Sequence, residues 1–219
     1  MNYAFRDRLS AEFPSQVIID VTEVCNLACI HCPHPTFKKS EHYSARYLEP
    51  ELVKKAIDEV REHGAGHCQY VRFTSEGEPL IHPGIYDMLQ YAVDHSGAFV
   101  TLTTNGTILN ERRVRNLLAS GLHMVDVSID AFFDMTYPKI RVNGHLPTTQ
   151  GNVLRLLKWV KGTPTRVVVS FVQQDANAGE APFFKSYWEA RGATVVIRNL
   201  HSAAGAVVPV ANIMRAGQA

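Results

Sequence analysis

Short apolar runs alternate with longer amphipathic stretches along almost the whole chain. The runs are rich in β-branched residues and nearly continuous, as buried strands are, and they lie at residues 17–21, 70–73, 99–103, 124–129, 167–172 and 194–197. Helical stretches lie between them, at residues 50–62, 83–95, 110–119, 149–160 and 180–191. Strict alternation predicts an α/β fold with a parallel sheet and right-handed crossovers. Eight such units take about 250 residues, so six units predict a partial (β/α)6 barrel, TIM-like and laterally open.

Three cysteines crowd into eight residues just after the first predicted strand. Cys25, Cys29 and Cys32 form a C-x3-C-x2-C pattern, whereas Cys68 lies far away, at the start of the second strand. Electron-transfer clusters of the ferredoxin type are usually held by four thiolates. A set of three therefore predicts a [4Fe-4S] cluster with one iron left open for an exogenous ligand. An iron with an open coordination site can bind a reactant.

Polar segments follow the other predicted strands at the same end. They begin at Glu76, Asn105, Asp130, Gln173 and Arg198. Reactive groups of parallel barrels collect at the carboxyl ends of the strands. We therefore expect one rim to carry the cysteines and these side chains together.

In this order, the motifs resemble those of the radical S-adenosylmethionine (SAM) superfamily. The resemblance rests on the cysteine spacing, with His31 just before the last cysteine, and on segments further along: Glu76-Gly77-Glu78-Pro79, Thr104-Asn105-Gly106, Val127-Ser128-Ile129-Asp130-Ala131, and Tyr137 with Arg141. It implies the partial-barrel fold. It also implies an enzyme in which a reduced [4Fe-4S] cluster passes one electron to SAM, giving methionine and a 5′-deoxyadenosyl radical.

The resemblance also implies which residues hold the two cofactors. The cysteines would ligate the cluster, and the contacts with SAM would come from His31, Gly77, Glu78, Pro79, Asn105, Ser128, Asp130 and Arg141. Among these, Glu78 would accept hydrogen bonds from the methionyl ammonium. Arg141 would pair with the methionyl carboxylate beside Ser128, and Asn105 would hold ribose or carboxylate oxygens. Gly77 would let the backbone come close.

Four further rim residues are predicted to face the substrate as catalytic residues, because they follow strands and are not needed by the nucleotide. They are Glu76, Gln173, Arg198 and His201. The superfamily often has glycine at the position of Glu76, which favours a substrate role for this side chain.

Residues 198–205 resemble the corresponding segment of enzymes with a C-terminal SPASM or twitch extension. Members of that subgroup oxidise or epimerise sugar and aminocyclitol carbons, or modify ribosomal peptides, often in natural-product biosynthesis. We therefore predict dehydrogenation or epimerisation of a carbohydrate or aminocyclitol intermediate, with peptide modification as the alternative. We also expect three parts along the chain: an N-terminal lead-in (1–16), a radical SAM core (17–205) and a tail (206–219). Because no cysteine follows residue 68, we expect the tail to stop before a cysteine-rich extension.

Charge and hydropathy narrow the range of partners. The formal net charge of +1, from 22 basic and 21 acidic residues, gives no electrostatic footprint for nucleic acid or an anionic membrane. The chain shows neither a signal peptide nor the run of about 18 apolar residues that a membrane span needs. The sequence therefore predicts a cytoplasmic protein with a small-molecule or peptide substrate, and the resemblance implies a one-electron reductant such as flavodoxin or ferredoxin.

A non-catalytic alternative remains open at this point. Three close thiolates also bind structural zinc when a histidine supplies the fourth ligand. His31 lies just before the last cysteine, and His34 lies two residues after it. The competing hypothesis is therefore a zinc- or cluster-binding protein without radical chemistry.

Overall fold

The computed structural model describes residues 10–74 and 76–201, and its centre is one sheet of six parallel strands. The strands are β1 (Gln16–Ile19), β2 (Tyr70–Phe73), β3 (Phe99–Thr104), β4 (Met124–Ser128), β5 (Arg166–Gln173) and β6 (Thr194–Asn199). Each strand pairs with the next one in the chain, so the order is β1-β2-β3-β4-β5-β6 and the sheet is open between β1 and β6. The predicted open, parallel six-stranded architecture is confirmed.

Helices connect the strands. They are α1 (His34–Phe37), α2 (Pro50–His63), α3 (Ile85–His95), α4 (Glu111–Ala119), α5 (Tyr137–Ile140), α6 (Leu146–Trp159) and α7 (Ala181–Glu189). The five long helices match the predicted ones, whereas the four-residue helices α1 and α5 are additions. None of the described helices combines the length and apolarity needed to cross a membrane. Most of the expected lead-in, the end of the expected core and the expected tail lie outside the described residues.

The two faces of the sheet differ in chemistry. Val71 and Phe73 of β2, like Val125 and Val127 of β4, are fully buried in the core beneath the helices. Strand side chains alternate between faces, so the residues between them, such as Arg72, point to the opposite, inner face. That face is mixed, because Arg72, Asp126 and Ser170 lie on it beside apolar residues such as Ile18 and Val168.

The loops at the carboxyl ends of the strands are held together by backbone hydrogen bonds. The N–H groups of Ala28 and Ile30 in the cysteine loop donate to the carbonyl oxygens of Val142 and Ile140, both at 3.0 Å. The Glu78 N–H donates to the carbonyl of Val24 at 2.8 Å. Segments far apart in sequence thus form one rim.

Candidate active site

The three cysteines of the triplet line one cavity of about 260 Å³ at this rim. The sequence-predicted residues that share the cavity with them are His31, Glu76, Gly77, Glu78, Asn105, Ser128, Arg141 and His201. Leu27, Pro33, Thr74, Thr103 and Thr104 complete the wall. The structure therefore brings together most of the side chains that were singled out from their positions after strands.

The donor set suits an iron–sulfur cluster. All three cysteines are free thiols, and burial raises the pKa of Cys25 and Cys29. Burial also raises the pKa of Cys32 to about 12, and the nearby Glu76 carboxylate contributes in the same direction. Since iron binds thiolates, cluster assembly must release these protons. The soft sulfur donors fit such a cluster.

His31 and His34, the two histidines closest to the cysteines in sequence, have other partners. His34 Nε2 donates to the carbonyl of Glu23 at 2.8 Å. His31 Nε2 lies 3.4 Å from Asp130 Oδ2, and burial lowers the pKa of His31. Within residues 10–74 and 76–201, no three His, Cys, Asp or Glu side chains are grouped as ligands of a single metal ion.

Glu78 joins the ends of two strands. Its Oε1 accepts hydrogen bonds from Thr104 Oγ1 at 2.7 Å and from the Leu80 N–H at 3.1 Å, and its Oε2 accepts one from the Asn105 N–H at 2.7 Å. Burial raises the pKa of this carboxyl, although these donors act in the opposite direction. The expected partner was the methionyl ammonium. In the structure both oxygens fix the loops after β2 and β3, and the contact with the ammonium stays a prediction.

Asp130 links several segments of the rim. It is fully buried and has a positive φ of 63°, a conformation that Asp tolerates better than most residues. Its Oδ2 accepts from Arg141 Nε at 2.8 Å and Nη2 at 2.5 Å, and its Oδ1 accepts from the Val172 N–H at 2.7 Å. Asn177 Nδ2 donates to the Asp130 carbonyl at 2.8 Å. Asp130 therefore lies behind the cavity wall, whereas direct contact with SAM was expected.

Arg141 stands between Asp130 and the cavity. Burial disfavours its charged form, but the adjacent Asp130 carboxylate outweighs that effect and raises the pKa of Arg141 above its ordinary value. The guanidinium is therefore charged. Because Asp130 takes Nε and Nη2, Nη1 is the nitrogen that this ion pair leaves unused. A buried, oriented cation of this kind suits a carboxylate ligand.

Asn105 and Gly77 connect the rim to the cysteine loop. Asn105 Nδ2 donates to Asn26 Oδ1 at 2.9 Å, and Thr107 Oγ1 donates to Asn105 Oδ1 at 2.6 Å. A Cβ on Gly77 would lie 1.9 Å from the Thr22 carbonyl oxygen. The backbone therefore comes close at Gly77, as expected. Among the described residues, the segment that it approaches is the backbone at Thr22, ahead of the cysteines.

The predicted substrate residues separate into two groups. Glu76 and His201 line the cavity, and Cys32 Sγ donates to Glu76 Oε2 at 3.7 Å. Gln173 is exposed at the last position of β5, and Arg198 pairs with a carboxylate on the inner face of the sheet. Pro79, expected as a cofactor contact, is buried at the start of a short 3-10 turn and does not line the cavity.

Gln174 and Asp126 are site residues that sequence reasoning missed. Gln174 is buried and its Nε2 lies 3.4 Å from His31 Nδ1, whereas the neighbouring Gln173 points away. The sequence signal was present, because Gln174 and Asn177 form a capping box that turns the chain inward after β5. Asp126 has no local signal, because its partner Arg198 lies 72 positions away.

An open parallel sheet with three thiols and a buried arginine around one rim cavity defines a cluster-binding α/β enzyme. The Radical SAM superfamily profile matches residues 19–172, well over half of the chain. The chain belongs to the radical SAM superfamily. Its cofactors are therefore a [4Fe-4S] cluster and S-adenosylmethionine.

Individual relatives agree with this assignment. A probable GTP 3′,8-cyclase of Methanococcus maripaludis is 26% identical over 179 residues, which cover 82% of this chain and 57% of the relative. An AdoMet-dependent heme synthase of Methanosarcina barkeri is 33% identical over 128 residues, covering 58% of this chain and 34% of the relative. Among solved structures, Streptococcus suis SuiB bound to S-adenosylmethionine has a TM-score of 0.74 at 12% identity, covering 94% of this chain and 45% of SuiB. The chain thus spans little more than half of the cyclase.

Proposed function

We propose that this chain is the core of an enzyme that reductively cleaves SAM and abstracts a hydrogen atom from a small-molecule substrate. The observation that carries the proposal is one cavity that is lined both by the three free thiols and by the oriented Arg141 cation. The first feature suits a cluster, and the second suits the methionyl carboxylate. When bound, the two cofactors supply a 5′-deoxyadenosyl radical.

The residues of the chain have separate tasks in this proposal. Cys25, Cys29 and Cys32 would hold the cluster. Arg141 would bind the methionyl carboxylate through the guanidinium edge that Asp130 leaves unused. Ser128 and Asn105 supply polar contacts from the same wall.

Two further rim features complete the cofactor side. The His31 ring lies between Asp130 and Gln174 and forms part of the cavity wall beside the cysteines. Glu78 fixes the loops on which these groups stand.

We also propose that the chain divides into a lead-in (1–16), a radical SAM core (17–205) and a tail (206–219). We propose a flavodoxin or ferredoxin as the electron donor.

For the substrate, we propose a small molecule that reacts at a sugar carbon. This proposal keeps the carbohydrate or aminocyclitol prediction and adds nucleotides to it. The reason is the name of the Methanococcus maripaludis relative, a probable GTP 3′,8-cyclase, since position 3′ of GTP is a ribose carbon. Peptide modification ranks second. Nucleotides therefore join sugars and aminocyclitols as the first compounds to test.

Anaerobic reconstitution with iron and sulfide tests the proposed chemistry. We expect about four irons per chain, an electron paramagnetic resonance signal that changes when SAM is added, and release of 5′-deoxyadenosine with a strong reductant. Changing Cys25, Cys29 or Cys32 to Ala should abolish all three results. Cys68→Ala is the matched control, because this thiol lies outside the cavity. Stoichiometric zinc without iron uptake would support the structural zinc hypothesis instead.

A further inference from the structure

The inner face of the sheet continues below the cavity and carries charged side chains. Thr74 and Ser128 line the cavity. Residues two positions apart on a strand lie on the same face, separated by about 6.6 Å, so Arg72 and Asp126 are the next side chains down from Thr74 and Ser128. The opposite face of both strands carries the buried core residues. Charged side chains therefore lie two residues along the strands from the cavity wall, toward the amino ends of the strands.

Arg72 has weak local partners. Its Nη1 donates to Gln16 Oε1 at 3.4 Å, and among residues 10–74 and 76–201 no carboxylate lies within 4.0 Å of its guanidinium. Its partner in the strand register is Ile18 of β1, which is 54% exposed. The inner face is thus open beside a guanidinium that has no ion-pair partner among the described residues.

Arg198 reaches the same face from β6 and is held in place. Its Nη2 donates to Asp126 Oδ2 at 2.8 Å, and the Ser170 hydroxyl hydrogen-bonds both side chains. Asp126 is buried, whereas the Arg198 side chain is 39% exposed. Asp126 therefore neutralises one of the two arginines and fixes its orientation. Arg198 thus has a carboxylate partner on this face, whereas Arg72 has none within 4.0 Å among the described residues.

We propose that the inner face binds an anionic group of the substrate, a phosphate or a carboxylate, with Arg72 as its main ligand. Guanidinium groups bind both anions through paired, charge-assisted hydrogen bonds. This inference rests on the proposed function and specifies its substrate class. The anionic end lies deep on the sheet, and the reactive carbon lies toward the cavity at the rim.

The test uses the reconstituted full chain, loaded with SAM under anaerobic conditions. Calorimetric titrations with sodium pyrophosphate and with sodium succinate measure affinity for the two anion types. Arg72→Gln should weaken binding of the preferred anion by about tenfold or more, since a hydrogen bond to a charged group is lost. Arg72→Lys should fall in between, because it keeps the charge without the fork. Arg61→Gln is the matched control, since Arg61 is an exposed residue of α2 paired with Asp58.

Each outcome has a defined meaning. Tighter binding of pyrophosphate assigns a phosphate, and tighter binding of succinate assigns a carboxylate. Binding of neither anion, or equal affinity in wild type and Arg72→Gln, would overturn the inference. Iron content and SAM affinity are measured in the same samples. If these are normal while no anion binds, only the substrate class is wrong, whereas loss of both in the wild type contradicts the proposed function itself.

Discussion

At the residue scale, the Arg141–Asp130 pair is the part of the site whose task is most specific. Arg141→Lys keeps the charge but loses the planar fork. We expect SAM affinity to fall about tenfold while the iron content per chain is unchanged, as measured by equilibrium binding to the reconstituted protein. Arg115→Lys is the control, because Arg115 is exposed on α4 and pairs only with Glu111 among the described acidic residues. Unchanged affinity in Arg141→Lys would remove Arg141 from the methionyl site.

Glu78 supports a second prediction at the same scale. Glu78→Gln replaces one acceptor oxygen by an NH2 group, and either orientation leaves a donor facing a donor, because both oxygens accept hydrogen bonds. We expect a loss of about 1–3 kcal/mol in the free energy of unfolding, measured by denaturant titration of the cluster-free chain.

The control for this measurement is Glu111→Gln, which breaks an exposed pair on α4 and should cost less than about 0.5 kcal/mol. If the two variants have equal denaturation midpoints, Glu78 does not fix the loops after β2 and β3. Its carboxylate would then be available to the methionyl ammonium, as the resemblance implied.

At the scale of elements, the packing of the β2 loop against the cysteine loop depends on Gly77. A methyl group there would meet the Thr22 carbonyl oxygen at 1.9 Å, and one of the two backbone segments must move. We expect Gly77→Ala to destabilise the chain by about 1–3 kcal/mol and to lower cluster uptake. Gly151→Ala is the matched control, because a Cβ there meets nothing within 4 Å and alanine should stabilise α6 by about 0.5–1 kcal/mol. Equal stability of the two variants would contradict the close packing.

The elements also show how far sequence reasoning reaches. Strand β2 begins and ends as predicted, because its apolar run is bounded on both sides by polar residues. Helix α6 begins three residues early, at Leu146, because Pro147 suits a first helical turn. The helices α1 and α5 were missed, since four residues show no helical periodicity.

Some features of the site could also be predicted from the sequence, and others could not. The cysteines, Glu76 and Asn105 could be predicted, because each follows a strand and the carboxyl ends of parallel strands meet at one rim. The burial of Asp130 behind Arg141 could not, since it depends on Val172 and Asn177, which lie more than 40 positions away. Tertiary partners of this kind leave no periodic signal.

At the scale of the whole molecule, loops from four consecutive strands of the open sheet meet around the cofactor cavity. Ligands that bind only the folded state stabilise it by mass action, by about 2.7 kcal/mol at a concentration one hundred times the dissociation constant. For a chain of this size, we expect SAM at that excess to raise the melting temperature of the cluster-loaded protein by roughly 5–10 °C, measured by anaerobic thermal unfolding.

Hydrogen exchange locates this stabilisation. Binding of both cofactors should protect the amides of the cysteine loop and of the loops after β2, β3 and β4, because these four segments line the cavity. The exposed face of α2, which lies outside the cavity wall, should exchange at an unchanged rate and is the internal control. Protection spread evenly over strands and helices would show a global effect instead. Protection confined to the cysteine loop would show that the cluster binds without SAM contacting the rest of the rim.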